Sequence, residues 1–333
     1  MHTTPQFKIQ QAGVALITAL VVTAIAVSLA VTLAYRQQVA IRLSGNLSAL
    51  EQAYQYATGM EDWAGVILSN DLQDNNTDSL KDDWATLIPP IPIPGGYMNG
   101  QLFDLHARIN LNNLIETVNQ NGQNVQRPVA LQVERLKTLL NYLKIPEPDA
   151  LVDSLIDWLD ENDQESNLGA ESAYYKTLDP PYLAANSRLV VRSELGLVKG
   201  FNEKFTNSKG EEESILKKLL PFVAMIPAKR MLINVNTADF EVLYALGNVD
   251  ETQVRETMDD REVDPFPTIS DFVRSLGFVG QNTFSTDRLG VSSEYFLLQG
   301  LVQIGRVRVF INSVIHRDST GRTRVISREF SQP

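Results

Sequence analysis

From Val14 to Tyr35 the chain runs 22 residues without a charge, interrupted only by the hydroxyls of Thr18, Thr23, Ser28 and Thr32. A helix of this stretch is about 33 Å long, enough to cross a hydrocarbon core of roughly 30 Å. The helical pattern then continues. Leu43, Leu47, Leu50, Tyr54 and Ala57 follow at steps of four, three, four and three, with Glu51, Gln52, Gln55 and Asp62 on other faces. One helix over 14–68 is predicted, lipid-facing in its first half and amphipathic in its second, with Gly45 and Gly59 as places to bend. A secretory signal usually has a shorter apolar stretch closed by a small-x-small cleavage site. Here a short polar leader ends at Gly13 and the apolar run starts at Val14.

The period changes further along. Three prolines at alternate positions (Pro90, Pro92, Pro94) keep 88–96 extended. At the far end, Tyr295–Ile304 is apolar and β-rich. Val307, Val309, Ile311 and Ile315 share one face of the next run, and 316–321 is a turn cluster before a last strand over 323–330. A meander this small needs a helix on its face, and the second half of the stalk supplies one. Between His106 and Leu289 the pattern is mostly helical, with helices predicted over 133–143, 150–159, 214–220, 238–246 and 269–276. Ile109-Asn110-Leu111-Asn112 recurs as Ile233-Asn234-Val235-Asn236, where Asn and Thr suit helix N-caps. The polar segment 199–213 reads as a mobile linker. The expected fold is α+β: a long N-terminal transmembrane and stalk helix on a small antiparallel sheet, carrying a large inserted all-α domain. Its units are a leader over 1–13, the stalk over 14–68, an α/β unit from 69–105 and 290–333, and the insert over 106–289.

Composition narrows the chemistry. There is no cysteine, which excludes disulfides, thiol nucleophiles and Cys-ligated metal. The three histidines (His2, His106, His316) are far apart in sequence, and no nucleophile–base pair or phosphate loop stands out, so an enzyme is not expected. The formal charge of -11 is concentrated. Between Lys144 and Lys176 lie nine carboxylates and no basic residue, and the rest of the chain is close to neutral. The run from Asp157 to Glu171 offers the Asp, Asn, Gln and Glu oxygens that Ca²⁺ requires. Asp160 to Glu171 is twelve residues with Asn162 and Gln164 third and fifth, as in an EF-hand, but without its sixth-place glycine. Asp160, Asp163, Glu165 and Glu171 are the candidate Ca²⁺ ligands, against the plainer reading of a solvated acidic turn. Trp158, Tyr174 and Tyr175 form either an aromatic patch or, for the tryptophan at least, core.

Taken together, these stretches resemble the K-type minor pseudopilins of bacterial type II secretion systems. The residues that carry the likeness are Gly13 before "VALITALVV", "ARINLNNLI" at 107–115, "LIDWLDENDQESNLGAESAYY" at 155–175, "SELGLVKG" at 193–200 and "INVNTADFEVLYAL" at 233–246. Thr18 stands where ordinary pilins carry a Glu, which suits an atypical subunit. The resemblance implies cleavage between Gly13 and Val14 by the prepilin peptidase, with methylation of Val14. It implies a single-pass inner-membrane protein with its globular part in the periplasm, and calcium binding. Expected partners are the I-type and J-type minor pseudopilins, the major pseudopilin and the inner-membrane assembly platform, at the tip of a pseudopilus that moves folded proteins outward. An alternative is a membrane-anchored periplasmic helix-hairpin-helix protein for DNA binding or uptake, since 233–260 resembles that module. Its hairpin, Leu246 to Glu251, keeps one glycine and adds two carboxylates where phosphate would sit, so no nucleic acid is expected.

Overall fold

The computed structural model describes residues 12–87, 89–207, 209–278 and 284–331. Of the leader expected over 1–13, residues 1–11 lie outside the described residues. Helix α1 (Ala12–Asp74) is 63 residues long, close to 95 Å. In its apolar half the hydroxyls of Thr18, Thr23 and Thr32 donate back to the carbonyls of Val14, Ala19 and Ser28. Each therefore hides its polar atom against its own helix. The helix is unbroken through Gly45 and Gly59 and runs nearly two turns past the predicted end at Leu68. Leu43 and Leu47 of the predicted stripe are exposed, and the face that packs is Ala53, Ala57, Met60, Ala64 and Leu68.

That face lies on a sheet whose strands come from the two ends of the globular part. Strands β1 (Ile91–Ile93) and β2 (Gly96–Asp104) precede the insert. Pro92 is tolerated because β1 is an edge strand, where a missing amide costs no interior ladder bond. The insert follows with β3 (Ile109–Asn110), β4 (Ile115–Gln120), β5 (Gln123–Pro128), α2 (Ala130–Tyr142), α3 (Pro148–Leu159) and α4 (Ser172–Tyr175). It continues with β6 (Lys204–Thr206), β7 (Glu212–Ser214), α5 (Ile215–Leu219), β8 (Val223–Ala224) and β9 (Ile233–Asn234). It closes with α6 (Phe240–Tyr244), α7 (Glu251–Val263), α8 (Ile269–Ser275) and β10 (Leu289–Gly290). Strands β11 (Tyr295–Ile304), β12 (Val307–Arg317) and β13 (Thr323–Ser331) then complete an antiparallel sheet of order β1-β2-β11-β12-β13.

Gly100 of β2 and Gly300 of β11 face each other across the ladder. A Cβ on either would lie 2.6 Å from Met60 Cε, so the two glycines form the seat for the stalk. Along β12 the buried positions alternate: Val309, Ile311, Ser313, Ile315 and Arg317. The two polar ones are answered from the helix side. The buried carboxylate of Glu61 accepts from Ser313 Oγ and from the guanidinium of Arg328 on β13.

The α+β class stands, but the insert expected as all-α is corrected. Beside its helices it contains four two-stranded pieces of sheet: β3–β8, β9–β10, β4–β5 and β6–β7. The segment 199–213, expected as a mobile linker, contributes to the hairpin β6–β7, in which Lys204 pairs with Ser214. The repeated Asn pairs act as staples rather than only as caps. Asn110 caps the short 3-10 turn 111–114 and also exchanges bonds with both backbone groups of Ile226. Asn112 holds Leu189 N and O in the same way, and Asn236 holds Phe266 N and O. Each second Asn of the repeat thus pins a distant loop through both hydrogen-bonding edges of one residue.

Candidate metal centre

Helix α3 builds the acidic site. Asp153, Asp157 and Asp160 stand at i, i+4 and i+7 and so on one face, where the following loop folds back over them. Asp153 Oδ2 accepts from Leu168 N at 3.2 Å. Buried Asp157 accepts Ser166 N on both oxygens, at 3.2 and 3.0 Å. A Cβ on Gly169 would sit 1.9 Å from Asp157 Oδ2, so only glycine lets the loop backbone lie on that carboxylate. Asp160 accepts Asn162 N and Nδ2, and Asp163 accepts Ser172 N at 3.3 Å.

Into this group projects Glu171, 2% exposed, and neither of its oxygens accepts a hydrogen bond among the described residues. Its carboxyl is pushed up to about 8, first by burial and then by the charges of Asp157, Asp160 and Asp163. Burial likewise raises Asp157 and Asp160, while the Ser172 bonds hold Asp163 below its ordinary range. Without a cation, protonation is what lets Glu171 stay inside. The two free oxygens of this one buried carboxylate, with three more carboxylate charges acting on it, are the kind of donors a hard cation takes, although only Asp71, Asp78 and Asp82 bring one oxygen each within 4.8 Å of one another among the described residues. Of the predicted ligands, Asp160, Asp163 and Glu171 are brought together. Glu165 is exposed, and no hydrogen bond links it to them among the described residues. Asp157, which the spacing from Asp153 to Asp160 puts on the same helix face, is among the charges that act on Glu171.

The surroundings hold the loop rigid. Lys199 Nζ donates to Gly169 O at 2.8 Å and lies over the Tyr174 ring, and its amide donates to Tyr175 Oη. Trp158 donates to Glu194 Oε1 at 3.2 Å. Trp158 and Tyr175 are buried and meet edge to face with centroids 5.1 Å apart. They are core, and the stretch 193–200 is the clasp of the acidic loop.

A second group of carboxylates has a different fate. Where α1 meets the sheet and the insert, one oxygen each of Asp71, Asp78 and Asp82 lies within 4.8 Å of the others. The guanidinium of Arg317, 2% exposed, donates to Asp71 and Asp78 and to the carbonyls of Leu68 and Ser293. Asp82 accepts from Ser79 N, Ser79 Oγ and Trp84 Nε1. Asp104, fully buried nearby, accepts from His106 N, Asn234, Thr237 and Ser293. Burial raises Asp71 to about 7 and raises Asp78 and Asp104. Here an arginine already occupies the place of a cation.

The helix-hairpin-helix-like segment forms α6 and α7 joined through Gly247 and Asn248, both left-handed. Asp250 accepts Gln253 N and Gln253 accepts Asp250 N, a capping box that closes the start of α7. A carboxylate thus sits where a phosphate would approach.

Models of type II secretion system protein K match residues 107–228 and 233–292. Type II secretion system protein K of Pseudomonas aeruginosa is 33% identical over 97% of this chain and 93% of its own length. That of Aeromonas hydrophila is 27% identical over 96% and 97%. A solved GspK–GspI–GspJ complex from enterotoxigenic Escherichia coli contains a chain of the same fold, with TM-score 0.72 and 24% identity. The match covers 87% of this chain and 99% of that one.

Proposed function

The chain belongs to the type II secretion system protein K family and is a minor pseudopilin of that system, and from this premise we propose that it caps the pseudopilus tip without being an enzyme. The observation that carries the capping is where the insert is mounted. Strand β2 leaves the sheet at Asp104 and β11 re-enters at Tyr295, beside His316 and Arg317. Arg317 in turn holds Leu68 and Asp71, near the end of α1 farthest from its apolar span. The lower stalk is free to pack in a fibre, while the insert obstructs the addition of a subunit above. GspI- and GspJ-type minor pseudopilins are the expected neighbours, as in the solved complex, with the major pseudopilin below and the inner-membrane platform driving export of folded proteins.

In this reading the leader is removed by prepilin peptidase between Gly13 and Val14, in the inner membrane, with the globular part in the periplasm. Protein purified from membranes is expected to begin at N-methylated Val14, and Gly13→Val is expected to stay uncleaved and membrane-bound. A chain beginning at Met1, or beyond Tyr35, overturns the processing reading. Calcium belongs to the same reading: Asp157, Asp160, Asp163 and Glu171 are the residues to hold it, and the ion replaces the proton on Glu171. A melting temperature that chelator lowers supports this, and identical melts with and without chelator refute it.

A further inference from the structure

The register of α1 on β12 fixes which end of the sheet faces the span. Ser313 bonds Glu61, and Arg317 bonds Leu68 and Asp71, so strand and helix ascend together. Going down the strand, the β11–β12 turn comes level with α1 near Asn46, and Arg306, Val307 and Arg308 line a groove with Leu43, Leu47 and Leu50. The turn at Gly305 also meets the β1–β2 turn, Gly305 N donating to Gly95 O at 2.9 Å. This end of the globular part is therefore two hairpin tips pointing back along the stalk toward Tyr35.

Its charge is of one sign. Arg36 and Arg42 on α1 and Arg306 and Arg308 on the turn have no Asp or Glu between Val14 and Leu50, and the nearest acids on the packed elements are Glu51 and Glu329. Arg306 and Arg308 are exposed. Arg308 is aimed: its Nε donates to Gln303 Oε1 at 3.0 Å, the same oxygen that Tyr97 Oη bonds from β2. From Tyr35 to the level of Asn46 is roughly 16 Å of helix. The headgroup layer occupies about 5–8 Å of that, and the remainder is about one Debye length at physiological salt.

We propose that the β11–β12 turn, through Arg306 and Arg308, docks on the anionic phospholipid headgroups of the membrane that α1 spans. This rests on reading α1 as a single membrane span. The contact orients the globular part over the bilayer, and it must be given up when the subunit leaves the membrane, so it sets a threshold for extraction.

Because the chain has no cysteine, one can be placed at will. Pro94→Cys, on the exposed neighbouring hairpin tip, carries a fluorophore in the full-length protein held in nanodiscs whose lipids bear a headgroup quencher. Quenching is expected to be severalfold stronger in phosphatidylglycerol–phosphatidylcholine discs than in phosphatidylcholine alone. It is expected to fall to the neutral-lipid level in high salt and in R306E/R308E. Equal quenching in the two lipids, or in R306E/R308E and the parent, overturns the docking while leaving the span intact. A chain that does not co-elute with discs overturns the span reading and the docking with it.

Discussion

The two carboxylate clusters of this molecule differ in one respect that decides what each can do. At the junction of stalk, sheet and insert, the acids Asp71 and Asp78 close on Arg317, and Asp82 and Asp104 take hydrogen bonds from seven donors between them. In the loop after α3, Asp157, Asp160 and Asp163 use backbone and amide donors, but Glu171 is buried with nothing to accept. Clustered acids alone therefore say little. A group whose acids already have an arginine and hydrogen-bond donors is a structural joint, and a buried carboxylate without a donor is where a cation would be answered.

The largest effect is expected from breaking the completed cluster. Arg317→Met leaves two carboxylates buried without their cation, and should lower unfolding free energy by about 3–5 kcal/mol. Urea denaturation of the full-length protein in detergent checks this. Added calcium should restore none of the loss. Recovery with calcium would mean that the junction is itself a metal site held closed by arginine, and the contrast would fail. Gly169→Ala strikes the other cluster, where the new methyl group meets the Asp157 carboxylate. An overpacking cost of about 1–3 kcal/mol is expected, together with loss of the calcium-dependent part of the melting temperature.

How far these features could be read from the sequence follows from the range of the interactions. The span, the three C-terminal strands and five insert helices are local patterns, and they were legible. So was the acidic loop, because like charges crowded along the chain are visible without a fold. The Asn121–Gly122 pair is the hairpin signal between β4 and β5 that a helical reading of the insert passes over. The junction was not legible: Asp71, Asp78 and Arg317 look like surface charges until a separation of 239 residues between Asp78 and Arg317 is closed. That Asp157 and not Glu165 is among the charges acting on Glu171 has the same origin, since it depends on which way the loop folds over α3.

The pH dependence sharpens the contrast. Glu171 holds its proton in the folded chain up to about 8, against an ordinary value of 4.5. The folded state binds more protons than the unfolded one between those values, so the calcium-free protein loses stability as pH rises through that window. Calcium must displace the proton, so its affinity should rise with pH over the same range and level off above it. Calorimetry in buffers of different ionisation heat should find protons released on binding near neutral pH, and none for Glu171→Gln. Proton release unchanged in Glu171→Gln would detach this residue from the ion.

The smallest expected effect is the most exacting for the ligand set. Glu165 is one of the acids of the loop but stands outside the group that Glu171 faces. Glu165→Gln removes one charge from the cluster's surroundings and none from its interior. Its effect on stability should stay within about 0.5 kcal/mol, and the shift of the melt on adding calcium should persist. Asp160→Asn, which removes the same unit of charge from inside the group, should diminish that shift. If the two substitutions act alike, the loop attracts calcium only through its net charge, as a diffuse acidic surface would. If only the second acts, the ion is held by position, and the uncompensated Glu171 marks where.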